Sequence, residues 1–368
     1  MKKIFFSLVA IAAIAACSKS EIQYEQTGEI TLAPVTSNAT KSVAGYNGDT
    51  FDGIFPTAID LYVFANAGEA GSAPAAHEEP YFKNARFTYN SGKGTTGTQS
   101  NGTIDNIATA GAYAGVPTHY WPNVKTLVFA GYSDACGLSK TTPVMNFVDN
   151  VLTIPAYVQN NATYTAEGAN DLMWFTRTEA YSKRATEIVA TMKHACSWIT
   201  INVKGDGVTA KNGENPGWIL NSLVVKNIAH KGNAECGATA ASWGAHDNYA
   251  DENYYKAQTT GEFDPTQGTT FTTSYAKYED NANNFIVIPQ TPTTLEVTYS
   301  YMSDVANNIT FSETKVISLD YDGADATNNA WESGKHYIYN LYITATEILI
   351  DPVVVDWADP ATEKNETI

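Results

Sequence analysis

Helical patterning is nearly absent from this chain, and that absence does most to limit what it can fold into. The strong segments are short, rich in β-branched and aromatic residues, and bounded by clusters of Gly, Asn, Asp, Ser and Pro, which is the pattern of strands separated by turns. Strands are predicted over Glu29–Val35, Ala58–Ala65, Tyr81–Tyr89, Thr126–Tyr132, Val151–Ile154 and Leu172–Thr176. A second series covers Glu187–Val203, Ile219–Asn227, Phe285–Pro289, Leu295–Tyr301, Thr314–Leu319, Tyr337–Thr344 and Ile348–Asp356. The expected class is all-β.

Alternation is cleanest at Leu295, Val297, Tyr299 and Tyr301, with Glu296, Thr298 and Ser300 on the opposite side, as in a strand with one buried face. In the strand beginning at Glu187, the apolar set Ile188, Ala190, Met192, His194 and Cys196 gives way to Ile199, Ile201 and Val203. Such a change of phase inside one strand predicts a β-bulge near Ser197–Ile199. The polar stretch Glu179–Thr186 separates the two series and reads as a domain boundary. Asn90–Gly111, Gly205–Gly217 and Gly232–Thr270 read as long loops.

The N-terminus has a separate logic. Lys2 and Lys3 precede the apolar run IFFSLVAIAAIAA, and Cys17 follows. A charged start, a short apolar centre and small residues before the cut make a secretory signal, too short to span a bilayer as a helix. Ile14-Ala15-Ala16-Cys17 fits a lipobox, so cleavage is expected between Ala16 and Cys17, with acylation of Cys17. Two or more acyl chains give stable anchoring where one does not. Loss of Lys2 and Lys3 with the signal takes the formal charge from −17 to −19. So acidic a chain, lacking a basic stripe, does not suit nucleic acid.

Catalytic and metal signatures are missing. The string Gly131-Tyr132-Ser133-Asp134-Ala135 lacks the last glycine of a nucleophile elbow, and neither a P-loop nor GxGxxG occurs. The histidines, at 77, 119, 194, 230, 246 and 336, have no metal-ligand spacing, and His194 reads as a core histidine. Asp320, Asp322 and Asp325 do not follow the EF-hand pattern, and they read as turn residues, as does the run Asp247–Asn253. Cys136, Cys196 and Cys236 allow at most one disulfide and read as small buried hydrophobes. No enzyme activity, cofactor or metal is expected.

The order of segments resembles that of the fimbrillin-like lipoproteins of Bacteroides-group bacteria. The resemblance runs from the lipobox through EITLAPV and TSNATKS, AIDLYVFAN, YWPNVKTLVFAGYS, DLMWF and VATMKHACSWITINV. It continues through FIVIPQ, LEVTYSY and WESGKHYIYNLYI to ILIDPVVVDW. It implies two transthyretin-like Greek-key β-sandwich domains in tandem, over residues 29–182 and 183–358, after a signal at 1–16 and a linker at 17–28, with a polar tail at 359–368. It also implies a fimbrial subunit that pairs with other fimbrial subunits by β-strand complementation, on the outer membrane or in the fimbrium, and that adheres to a ligand on a host or bacterial surface. In shaft-type members a basic-specific protease removes the first strand; the matching position here is the bond between Lys41 and Ser42, although Arg is the usual residue. A competing reading is a surface glycan-binding lipoprotein of an outer-membrane uptake system, with Trp218, Trp243 or Tyr254–Tyr255 as sugar platforms.

Overall fold

The computed structural model describes residues 28–30, 32–36, 59–69, 81–89, 119–123, 125–133, 146–148, 150–159, 172–183, 188–206, 217–258, 261–264, 269–271, 273–277, 285–291, 293–302, 309–320, 330–344 and 347–356. Among these, every regular element is a strand apart from one 3-10 turn at Tyr181–Lys183. The strands form three sheets.

The first sheet has the order β1 (Leu32–Thr36), β8 (Ile188–His194), β7 (Met173–Glu179), β4 (Lys125–Ser133), β2 (Ile59–Glu69), β3 (Phe82–Tyr89). The second has the order β16 (Ile309–Ser318), β15 (Thr294–Met302), β10 (Gly217–Cys236), β6 (Val151–Val158), β5 (Asn146–Val148). Along its other edge β10 carries β11 (Ala241–Lys256) and β12 (Thr269–Phe271). The third has the order β13 (Ala276–Lys277), β9 (Ser197–Gly205), β17 (Lys335–Ile343), β18 (Ile348–Asp356), with β14 (Phe285–Val287) also on β9.

The central strands of the first sheet, β2, β4 and β7, are apolar on both faces, which is why they read as continuous runs, whereas β8 keeps one buried face. Leu61, Val63, Leu127, Phe129, Met173 and Phe175 enter one core with Ile188, Ala190 and Met192. Their neighbours Tyr62, Phe64, Val128, Ala130, Tyr132 and Trp174 enter a second core against Phe147, Leu152, Ile154 and Tyr157 of β5 and β6. A third core fills the space between the second and third sheets. Leu295, Val297 and Tyr299 of β15 there face Ile199, Ile201 and Val203 of β9 and Tyr337, Tyr339 and Leu341 of β17. The alternation expected of β15 is present, although Ser300 on its polar side is also buried, donating to Asn221 Oδ1 at 2.8 Å.

β10 joins the two halves. Leu220, Leu223, Val225 and Ile228 belong to the core between the second and third sheets, whereas Ala229, Ala234 and Cys236 belong to the core against the first sheet. The change of core falls between Ile228 and Ala229, directly after Asn227, whose φ is 53°. Pairing with β11 shifts register between Val225 and Ile228 at the same place, so β10 turns here without breaking.

Two expectations from sequence are corrected. The apolar phase change after His194 is not a bulge in one strand. The chain leaves the first sheet at the end of β8, crosses at Ala195–Cys196 and enters the third sheet as β9. Ser333 Oγ and Trp243 Nε1 both donate to Ala195 O, at 2.9 and 2.7 Å, and Gly334 N donates to Cys196 O at 2.9 Å, so the crossing is fixed from two sides. The segment Gly232–Thr270 is not a long loop, because β10 runs to Cys236 and returns as β11. Its polarity reflects an edge strand exposed along most of its length.

Candidate functional site

The segment Gly28–Thr36 stands out because its partners, the stretch 119–121 and β8, lie far from it in sequence. Leu32–Thr36 pairs with Ile188–Met192 at the end of the first sheet, through five parallel residue pairs. Every other pairing in that sheet is antiparallel. Parallel pairs are slightly less stable per residue. Upstream, Ile30 N donates to His119 O at 2.9 Å and Trp121 N to Gly28 O at 3.2 Å, a short antiparallel clip. The segment is thus held in turn by the stretch 119–121 and by β8.

Among its described side chains, Ile30 and Leu32 are buried, 0% and 1% exposed. They enter the same core as Phe82, Phe87, Trp121, Phe129, Ile188 and Met192. Each such burial contributes about 1.5–3 kcal/mol. The wall at this end is aromatic: His119 stacks on Phe82 with centroids 4.3 Å apart, and Trp121 meets Phe129 edge-on at 6.0 Å. Tyr81 Oη donates to Tyr120 O at 2.6 Å, tying the start of β3 to the clip. Burial lowers the His119 pKa, so the ring in this wall is neutral at physiological pH. Taking out Gly28–Thr36 would leave a groove with an apolar floor and one unpaired edge of β8.

Cys17, Ala16, Lys41, Ser42, Asp322, Asp325 and Cys136 lie outside the described residues. Asp320 is exposed and its backbone N donates to Ser318 Oγ at 3.3 Å. Among the described residues no group of three His, Cys, Asp or Glu side chains is placed to hold a metal ion. Cys196 and Cys236 are free thiols buried as small hydrophobes, and burial raises the Cys236 pKa. His194 is half-buried at the end of β8 rather than enclosed in the core.

The aromatics proposed as sugar platforms are structural. Trp218, Tyr254 and Tyr255 are buried in the core between the second and third sheets. Trp243 packs on the other core and spends its N–H on Ala195 O. Residue type alone does not separate a core aromatic from an exposed one.

A β-sandwich protein with two packed halves and an N-terminal strand at one sheet edge is the class this geometry defines. The chain belongs to the fimbrillin-like family, whose profile matches residues 48–357 and so begins beyond β1. No curated protein matches it. Among solved structures, a fimbrial protein from Bacteroides vulgatus is 13% identical over 89% of this chain and 99% of its own, with a TM-score of 0.54, a likeness of fold. A fimbrial assembly protein from Parabacteroides distasonis is 13% identical over 90% and 96%, with a TM-score of 0.39. The tip fimbrial protein Mfa3 from Porphyromonas gingivalis is 10% identical over 89% and 100%, with a TM-score of 0.35.

Proposed function

We propose that this chain is a fimbrial subunit, delivered as a lipoprotein acylated at Cys17 and assembled by strand exchange, with Gly28–Thr36 as the strand that is exchanged. The observation that carries this reading is the position of that segment. It is an edge strand, parallel to its neighbour, whose own side chains Ile30 and Leu32 enter the core of the first sheet. Lys41 stands five residues beyond the end of β1, so cleavage between Lys41 and Ser42 releases Ile30 and Leu32 together with the lipidated Cys17. A strand supplied by another subunit then covers the floor and pairs with β8. Because groove and donated strand are different surfaces, the contact propagates into an open filament at the cell surface. The partners are other fimbrial subunits, the outer membrane through the lipid until cleavage, and an adhesion ligand at the surface that the filament meets.

The test is treatment of the purified precursor with a trypsin-like protease. A new N-terminus at Ser42 and a ladder of SDS-resistant oligomers are expected, both lost in Lys41→Ala. Clean cleavage at Ser42 with only monomer remaining would overturn assembly by this route.

A further inference from the structure

The turn in β10 where one core gives way to the other is fastened by a buried histidine that no part of strand exchange uses. His230 follows Ala229, the first residue of β10 in the core against the first sheet. Its Nδ1 lies 3.2 Å from the carbonyl oxygen of Gln159, just past β6, and its Nε2 lies 3.0 Å from Glu252 Oε1 on β11. Nδ1 thus has a hydrogen-bond partner, whereas Nε2 lies at ion-pair distance from the carboxylate without a hydrogen bond aligned to it. A neutral imidazole can keep the bond to Gln159 through an Nδ1–H; protonation of Nε2 adds a positive charge that the Glu252 carboxylate attracts at 3.0 Å.

The backbone fixes the ring in that position. Gln159 N donates to His230 O at 2.8 Å, so β6 and β10 hold each other at two points. Gln290 fastens the previous residue, accepting from Ala229 N at 2.8 Å and donating to Ala229 O at 3.3 Å. The charged neighbours are otherwise engaged. Asp251, next to Glu252, pairs with Lys226 at 2.6 Å, and Lys231 lies 3.9 Å from Asp247. Among the described residues, those presented just past β6 and in the stretch after β14 are the neutral amides Gln159 and Gln290. Glu252 is thus the charge that acts on His230, and it raises the histidine pKa above the ordinary 6.5 despite burial.

We propose that His230 is a proton-operated pin: doubly protonated, it ties β6 to β11 across the turn of β10, and its deprotonation loosens the packing of the two halves against each other. The sign follows from the raised pKa. The contribution is complete below about 6.5, the unfolded value, and is lost as pH rises through the higher folded value. Mildly acid surroundings stiffen the subunit, and alkaline ones release one of its internal ties. The pin is independent of whether Gly28–Thr36 exchanges.

The full-length chain, labelled with nitrogen-15 at histidine, reads the ring directly, with His230→Gln assigning its signals. Two protonated nitrogens at pH 6.5 and a titration midpoint above 6.5 are expected. In Glu252→Gln the midpoint drops by at least about one unit, a tenfold change in proton affinity. The Gln159 amide, which donates to His230 O, should lose hydrogen-exchange protection with rising pH in the wild-type chain but not in Glu252→Gln. Should His230→Gln not fold, the signals are assigned by difference from the other five histidines, and Glu252→Gln carries the comparison alone. A singly protonated ring at pH 6.5, or a midpoint unmoved by Glu252→Gln, overturns the proposal.

Discussion

His336 lies on the ring of Trp198 with centroids 3.6 Å apart and planes within 3°, and its Nε2 is 2.9 Å from Thr200 Oγ1. Burial, aided by the nearby Lys277 charge, pushes its pKa down to about 3. A base whose folded pKa is depressed favours the folded state while neutral. Its contribution is complete above the unfolded value near 6.5 and is lost as pH falls from there toward about 3. His336→Phe should therefore narrow the gap between unfolding temperatures at pH 7 and pH 4, whatever it does to the baseline. An unchanged gap would exclude His336 as a source of acid sensitivity. Gly131 shows a steric constraint of the same local kind. A Cβ there would meet Phe175 Cε1 at 2.6 Å and the Tyr62 carbonyl oxygen at 2.9 Å. Gly131→Ala should cost about 1–3 kcal/mol in urea unfolding, since backbone and ring must both yield.

At the scale of elements, β1 and β10 differ in how they are held. β1 pairs along one edge, and the buried Leu32 within it and Ile30 just before it tie the segment to the core. Leu32→Ala should cost about 2–5 kcal/mol of the hold on that segment, read as faster proteolysis at Lys41 and stronger binding of an apolar dye. Little change in the unfolding of the third sheet is expected, because Leu32 has no part in its core. β10 is held along both edges, by β15 and β6 on one side and β12 and β11 on the other. Its sensitive point is Asn227, a non-glycine residue at positive φ. Asn227→Val places a branched side chain in that region and should cost about 1–3 kcal/mol, with Asn227→Gly close to neutral by comparison. The relative midpoints of the two variants in denaturant decide this.

Over the whole molecule, a single strand threads two cores, and the halves should unfold together. Calorimetry is expected to show one transition. Ala229→Pro removes the N–H that Gln290 accepts and interrupts the strand at the handover, so it should split that transition in two. A single unsplit transition in a folded Ala229→Pro chain would show that the halves are coupled elsewhere, for instance at Ala195–Cys196.

How much of this was open to the sequence depended on the length scale of the physics involved. Short β-branched and aromatic runs between turn residues determined the all-β class and the place of most strands, because a strand's preference for half-buried side chains is local. The order of motifs pointed to the fimbrillin-like family, and EITLAPV was legible as a first strand. Sheet membership was not legible. Continuous apolar runs such as LMWF say that both faces are buried, not by what, and the step from β8 to β9 looks in sequence like a bulge because either event inverts the apolar phase. Polar composition hid β11, whose strand conformation comes from its pairing with β10 rather than from its own residues. His230, Glu252 and Gln159, spread along the chain, carry no spacing that joins them. Only the turn of β10 brings a histidine between a carbonyl and a carboxylate, and only tertiary packing decided which aromatics would be core and which strand would be left at an edge.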